Sequence, residues 1–150
     1  MATWNDGPGV ITLPSGRRIR GRSWKVAVDD VADLSIVLTT SVGHRFGAQT
    51  LSSEAGQTIM IDWPDYRLPR RSAQALQTLR EAWESAADQK VEITCAGGVG
   101  RTGTALAILA VYDGMDPHAA IDLVQRTYNP ESVESPAQRA FVMDLGADVN

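Results

Sequence analysis

The chain of 150 residues has one cysteine and two histidines, and its longest apolar run, Ala105 to Val111, is short. A lone thiol excludes an internal disulfide framework and is the usage expected in a reducing compartment. His44 and His118 are far apart and are read as surface residues, so no metal-ligand spacing is present. No metal or other cofactor is expected. No Gly-Lys-Ser/Thr sequence occurs, which excludes a Walker-type nucleotide loop. No basic segment leads into an apolar stretch at the start, so no signal peptide is read. No run is long enough to span a bilayer, and a cytoplasmic location is expected. The net charge of −4 gives no general attraction for nucleic acid. What remains, 43% hydrophobic and 21% charged residues, is an ordinary globular composition. One domain over residues 1–150 is expected, long enough for a core without staples.

Val10–Leu13, a Pro14-Ser15-Gly16 turn and Arg17–Arg20 read as a hairpin. Leu34–Thr39 and Thr58–Asp62 read as strands, with an irregular, Gly/Ser/Thr-rich segment from Thr40 to Gly56 between them. Leu76, Leu79, Trp83 and Ala86 recur at helical spacing within Arg71–Asp88. Strand Val91–Thr94 and helix Thr102–Asp113 follow. Asp116-Pro117 and Ser135-Pro136 each place a capping side chain before proline, opening helices to about Tyr128 and about Leu145. The fold class is α/β, a short central sheet flanked by helices with a helical C-terminal third.

Between strand and helix lies Cys95-Ala96-Gly97-Gly98-Val99-Gly100-Arg101-Thr102-Gly103. Backbone N–H groups of such a loop, at a helix N-terminus, form a nest for a tetrahedral dianion. Gly98, Gly100 and Gly103 also fit a dinucleotide-binding pattern, but that fold needs a second parallel strand after the helix. Here another helix follows, and the pattern gives no reason for Cys95 or Arg101. The bland alternative for Cys95 is a small buried apolar residue. A free thiol of pKa about 8.5 is only a few per cent ionised at neutral pH. The helix terminus, the amides and Arg101 all favour the thiolate, and comparable settings reach about 3.5–7.5. A shift of about three units corresponds to roughly 4 kcal/mol. Cys95 is therefore read as a nucleophile and the loop as a phosphate site.

Trp63-Pro64-Asp65 forms a second constellation upstream. A thiolate displacing an alkoxide or phenoxide from phosphorus needs a proton donor for the leaving oxygen, and Asp65 can supply it. Pro64 stiffens the loop and Trp63 serves as its apolar hinge. Two arginine clusters, Arg17/Arg18/Arg20/Arg22 with Lys25 and Arg67/Arg70/Arg71, are open to two readings: solvated faces, or a positive rim for anionic substrates.

Taken together, Cys95 to Thr102 and Trp63-Pro64-Asp65 resemble the cysteine-dependent protein tyrosine phosphatases, nearest to their compact, dual-specificity-like bacterial branch. The likeness runs from the Leu13–Gly16 turn to Phe141. It implies a mostly parallel sheet of that family's kind. It implies a cysteinyl-phosphate mechanism with Cys95 as nucleophile, Arg101 and the amides of Ala96, Gly97, Gly98, Val99 and Gly100 as phosphate ligands, and Thr102 as hydrogen-bond donor to sulfur. Asp65 is then general acid and afterwards general base. The tail Val133–Phe141 resembles the family's glutamine segment, where Gln138 orients the hydrolytic water or is simply a polar residue of the last helix. Thr94 stands where the family usually has histidine, which leaves the acidity of Cys95 open.

The expected substrate is a phosphorylated protein or small phosphoester, with phosphotyrosine and phosphoserine/threonine both open. A catalytically weak phosphate-binding module, a pseudophosphatase, is the alternative. A lipid phosphatase is less favoured, because the loop carries no lysine or arginine between Cys95 and Arg101. A sulfurtransferase leaves Asp65 without a role, and an arsenate reductase normally needs resolving thiols. Oxidation of Cys95 to a sulfenic acid is also expected, with no second cysteine to form an internal disulfide.

Overall fold

The structure is a computed structural model that describes residues 3–40 and 55–149. Its elements are β1 (Val10–Thr12), β2 (Arg18–Ser23), β3 (Leu34–Thr39), β4 (Gln57–Asp62), α1 (Ser72–Ser85), β5 (Val91–Cys95), α2 (Gly100–Tyr112), α3 (Pro117–Thr127) and α4 (Pro136–Val149). The sheet order is β1-β2-β5-β3-β4, parallel except for the β1–β2 hairpin. β5 is the middle strand and is buried along its whole length. The expected hairpin, strands and four helices are all present. The irregular segment and His44 fall mainly or wholly on residues 41–54, outside the described residues, while His118 is exposed.

Local chemistry accounts for the element ends. The hairpin turns through Gly16 at φ 95°, with Gly16 N–H donating to Leu13 O at 2.8 Å. Asp116 caps α3 by accepting from the amides of His118 and Ala119, with Pro117 in the first turn. Ser135 and Gln138 cap α4 reciprocally: Ser135 Oγ accepts from Gln138 N at 3.1 Å, and Gln138 Oε1 from Ser135 N at 3.4 Å. α2 begins earlier than its apolar run suggests. Gly103 N–H donates to Val99 O at 2.8 Å, closing a first turn that takes in Gly100 and Arg101. Every residue from Gly100 to Val111 is buried, because α2 lies between β5 and the other helices.

In the first arginine cluster Lys25 is exposed, but Arg20 and Arg22 belong neither to a solvated face nor to an anion rim. Arg20 and Arg22 turn onto Glu92 in the neighbouring strand, opposite Arg20 in register. Arg20 Nη2 lies 2.6 Å and Arg22 Nε 2.8 Å from Glu92 Oε1, and Ser35 Oγ donates to Oε2 at 2.8 Å from β3. The Arg20 guanidinium stacks on Trp4 at 3.9 Å, and Arg17 lies over Trp83 at 4.3 Å. Burial pushes the Glu92 carboxyl up, but bonds from Arg22, Arg20 and Ser35 outweigh it and hold it below the usual range. This carboxylate clips together β2, β5 and β3, the three strands beneath the loop. No helix among the described residues is long and apolar enough to cross a membrane.

Because the folded pKa of Glu92 is depressed, its contribution to stability is full above the unfolded carboxylate pKa, about 4.3, and is lost as pH falls through the folded value. Glu92→Gln leaves two buried arginines without their counter-charge and is expected to cost about 3–5 kcal/mol near neutrality. Urea unfolding at neutral pH and in acid checks this. The gap between variant and parent should close in acid, and a gap independent of pH contradicts the assignment.

Candidate active site

Cys95 ends β5, and its side chain is 2% exposed. Burial alone suits a core cysteine equally well; the sulfur's partners do not. Sγ accepts hydrogen bonds from Gly98 N–H at 3.1 Å and from Thr102 Oγ1 at 3.0 Å. The loop curls around the sulfur because its carbonyls are tethered away from it. Cys95 O accepts from Trp24 N at 3.2 Å, and Ala96 O from Ser23 Oγ at 2.6 Å. Gly98 O accepts from Tyr128 Oη, Val99 O from Ser132 Oγ at 3.0 Å, and Gly100 O from Thr104 Oγ1 at 2.7 Å. Gly98 has φ 71°, and a Cβ there would lie 2.5 Å from Ser23 N, so glycine is required at this bend. No side chain caps α2, leaving its first amides for another acceptor.

Arg101 leaves the first turn of α2 and is 5% exposed. Its Nη1 donates to Leu38 O at 3.1 Å and Trp63 O at 3.2 Å, which ties it to the end of β3 and to the Trp63–Asp65 loop. Its Nε is buried without a hydrogen-bond partner, 3.5 Å from Asp65 Oδ1. Leaving a buried charged donor unsatisfied costs more than an ordinary missing bond. An oxyanion beside Cys95 would supply the acceptor.

The Trp63–Asp65 loop is anchored at one end and open at the other. Trp63 is fully buried; its Nε1 donates to Arg67 O at 2.6 Å, and its ring meets Phe141 edge-on at 6.4 Å between centroids. Asp65 is exposed, and its Oδ1 accepts from Tyr66 N at 3.0 Å. The structure thus brings Cys95, Arg101, Thr102 and Asp65 together.

Gln138 is fully buried, with one end of its amide on Ser135 N and the other on Arg67 O at 3.4 Å. It ties the α4 cap to the acid loop. Each end thus has one protein partner, and each keeps a second hydrogen-bonding site. Glu134, part of the same tail, lies against the first residue of α2, where a Cβ on Gly100 would meet its carboxylate. Partial burial, then Asp65 and Glu131, push its carboxyl up against the pull of Arg101. Tyr128, Ser132 and Ser23 were not evident as site residues from their spacing. Their only signal is the Ser/Tyr hydroxyl itself, since nothing local shows which carbonyl each will meet.

Among the described residues, no group of three or more His, Cys, Asp or Glu is placed to hold a metal ion. A cavity of about 310 Å³ lies between β4 and α1, lined by Ile59, Asp62 and Arg71 among others; none of its lining residues belongs to the Cys95 loop. Of the second arginine cluster, Arg67, Arg70 and Arg71 are exposed, and Arg70 pairs with Asp62 at 3.5 Å.

Residues 21–147 match the family model described as protein-tyrosine phosphatase. An uncharacterized protein of Methanocaldococcus jannaschii, MJECL20, is 32% identical over 87 residues, 58% of this chain and 58% of that protein. The chain therefore spans little more than half the length of this relative. The crystal structure of Tk-PTP in the active form superposes with TM-score 0.71 at 26% identity, covering 93% of this chain and 97% of the other. Human DUSP28 superposes with TM-score 0.70 at 14% identity over 99% of both chains, a likeness of fold alone. With a matching family model over most of its length, a mostly parallel sheet and the same fold as Tk-PTP, the chain belongs to the protein-tyrosine phosphatase family.

Proposed function

We propose that this protein hydrolyses phosphotyrosine, and phosphoserine or phosphothreonine where the pocket admits them, through a cysteinyl-phosphate intermediate. The observation that carries the reading is the pairing of a sulfur accepting two hydrogen bonds with a buried Arg101 Nε that makes no hydrogen bond and meets Asp65 Oδ1 at the longer distance of 3.5 Å. Residues 1–150 act as one phosphatase domain. In support, Ile11 and Leu13 near the start share a single core with Val142 and Leu145 near the end.

In the first step Cys95 Sγ attacks phosphorus in line, forming S–P as the ester P–O bond breaks. The inward amides and Arg101 bind the non-bridging oxygens, so positioning and electrostatics carry the acceleration. Asp65 gives its proton to the leaving oxygen. In the second step the Asp65 carboxylate takes a proton from the attacking water, the S–P bond breaks, and Thr102 Oγ1 stabilises the departing thiolate. Gln138 joins the Trp63–Asp65 loop to the tail and, from there, would help orient the hydrolytic water. The exposed Arg67 and Arg71 add positive charge close to Asp65 in sequence and would favour acidic sequence around the phosphate.

Release of p-nitrophenol from p-nitrophenyl phosphate tests the reading. Cys95→Ser should abolish turnover. Asp65→Asn should lower kcat by about 10²–10⁴-fold and remove the basic limb of the pH profile. Arg101→Lys keeps the charge but loses the fork, and should lower kcat/KM roughly tenfold to a hundredfold. One observation favours the binding-module alternative: Thr94, where the family has histidine, buries its hydroxyl without a partner among the described residues. A parent protein as slow as Cys95→Ser would decide for that module.

A further inference from the structure

The five peptide units from Cys95 to Gly100 are all trans, so within each unit the carbonyl and the next residue's N–H point in opposite directions. Whatever holds a carbonyl outward therefore aims the following amide inward. Tyr128 holds Gly98 O, and the N–H so aimed is that of Val99. Ser132 holds Val99 O in the same way and aims the N–H of Gly100.

We propose that Tyr128 is a positioning residue for the anion cup, fixing the Val99 N–H toward the bound phosphoryl group through its bond to the Gly98 carbonyl. The assignment rests on the phosphate-handling role proposed for the loop.

Tyr128 is built to do this. It caps the C-terminus of α3, its N–H on Val124 O at 2.9 Å. The turn that follows is tied by Ser132 N to Asn129 O at 3.1 Å and by Gln125 Nε2 to Ser132 O at 3.2 Å. The ring lies on the bare Cα of Gly21 in β2; a Cβ there would be 2.6 Å from Cε1 and 2.8 Å from Oη. The phenol is thus clamped between strand and helix with its hydroxyl on the loop. Burial and the neighbouring Cys95 both push its pKa well up, so Tyr128 stays a neutral donor throughout the working pH range. A donor is what a carbonyl needs, and replacing Tyr128 by phenylalanine removes no charge from the site.

The test is inorganic phosphate binding by calorimetry, in the parent and in a Cys95→Ser background that needs no turnover, together with the kcat and KM of p-nitrophenyl phosphate hydrolysis. Tyr128→Phe keeps the ring on Gly21 and should leave the melting temperature close to that of the parent. Its phosphate affinity should fall about three- to tenfold, the net value of one hydrogen bond, with kcat/KM falling alongside. Gly21→Ala displaces the phenol without changing it and should reproduce the effect, which keeps the proposal testable if Tyr128→Phe folds poorly. Active parent with both variants binding phosphate as tightly would overturn this proposal and leave the phosphatase reading standing. Absent turnover with phosphate binding weakened by both variants would do the reverse. No phosphate binding in any form would overturn this proposal, and absent turnover beside it would overturn the phosphatase reading as well.

Discussion

The arrangement depends on carbonyls being pulled away from one sulfur. A loop of glycines has no conformation of its own to defend, and each outward tether on Cys95, Ala96, Gly98, Val99 and Gly100 comes from a different neighbour. Ser23 ends β2 and Trp24 follows it, Tyr128 and Ser132 precede α4, and Thr104 belongs to α2 itself. Inward amides are the consequence, and the Gly98 bond to Sγ is the one seen directly. Such preorganised dipoles need no reorganisation when charge develops on a phosphoryl group.

The sheet makes those tethers possible. The loop starts where β5 stops, and the strands on either side end beside it: Ser23 closes β2, and Leu38 O from β3 receives Arg101. The Glu92 clip joins these strands below the loop, so a charge cluster centred on the middle strand braces the strand ends that flank the Cys95 loop. Arg101 then links β3 to the acid loop through Leu38 O and Trp63 O, and Gln138 ties that loop to α4. Asp65, Arg101 and Cys95 are held by one connected frame.

Much of this was legible in residue order, because it is local. Proline after a capping side chain marks the starts of α3 and α4, the buried run in α2 is simply apolar, and Cys95 and Arg101 announce themselves by lying at the two ends of a glycine loop. The misreadings share another cause. Arg20 and Arg22 look like surface charge until β2 is paired beside Glu92, a contact between residues far apart in the chain. The capping role of Gln138 is signalled by the Ser-x-x-Gln spacing, whereas its reach to Arg67 O joins residues far apart in the chain. Tyr128 reaches Gly98 only because Gly21 offers no side chain, a three-way fit that no single segment records. The early start of α2 follows from one bond, Gly103 to Val99, inside a stretch whose glycines argue against helix.

Trapping the intermediate tests the central claim most directly. Asp65→Asn mixed with p-nitrophenyl phosphate and quenched in acid within its first turnovers should carry a phosphoryl group on the peptide containing Cys95, up to one per chain. No covalent phosphate on that peptide, in a sample that still releases p-nitrophenol, would contradict a displacement at sulfur.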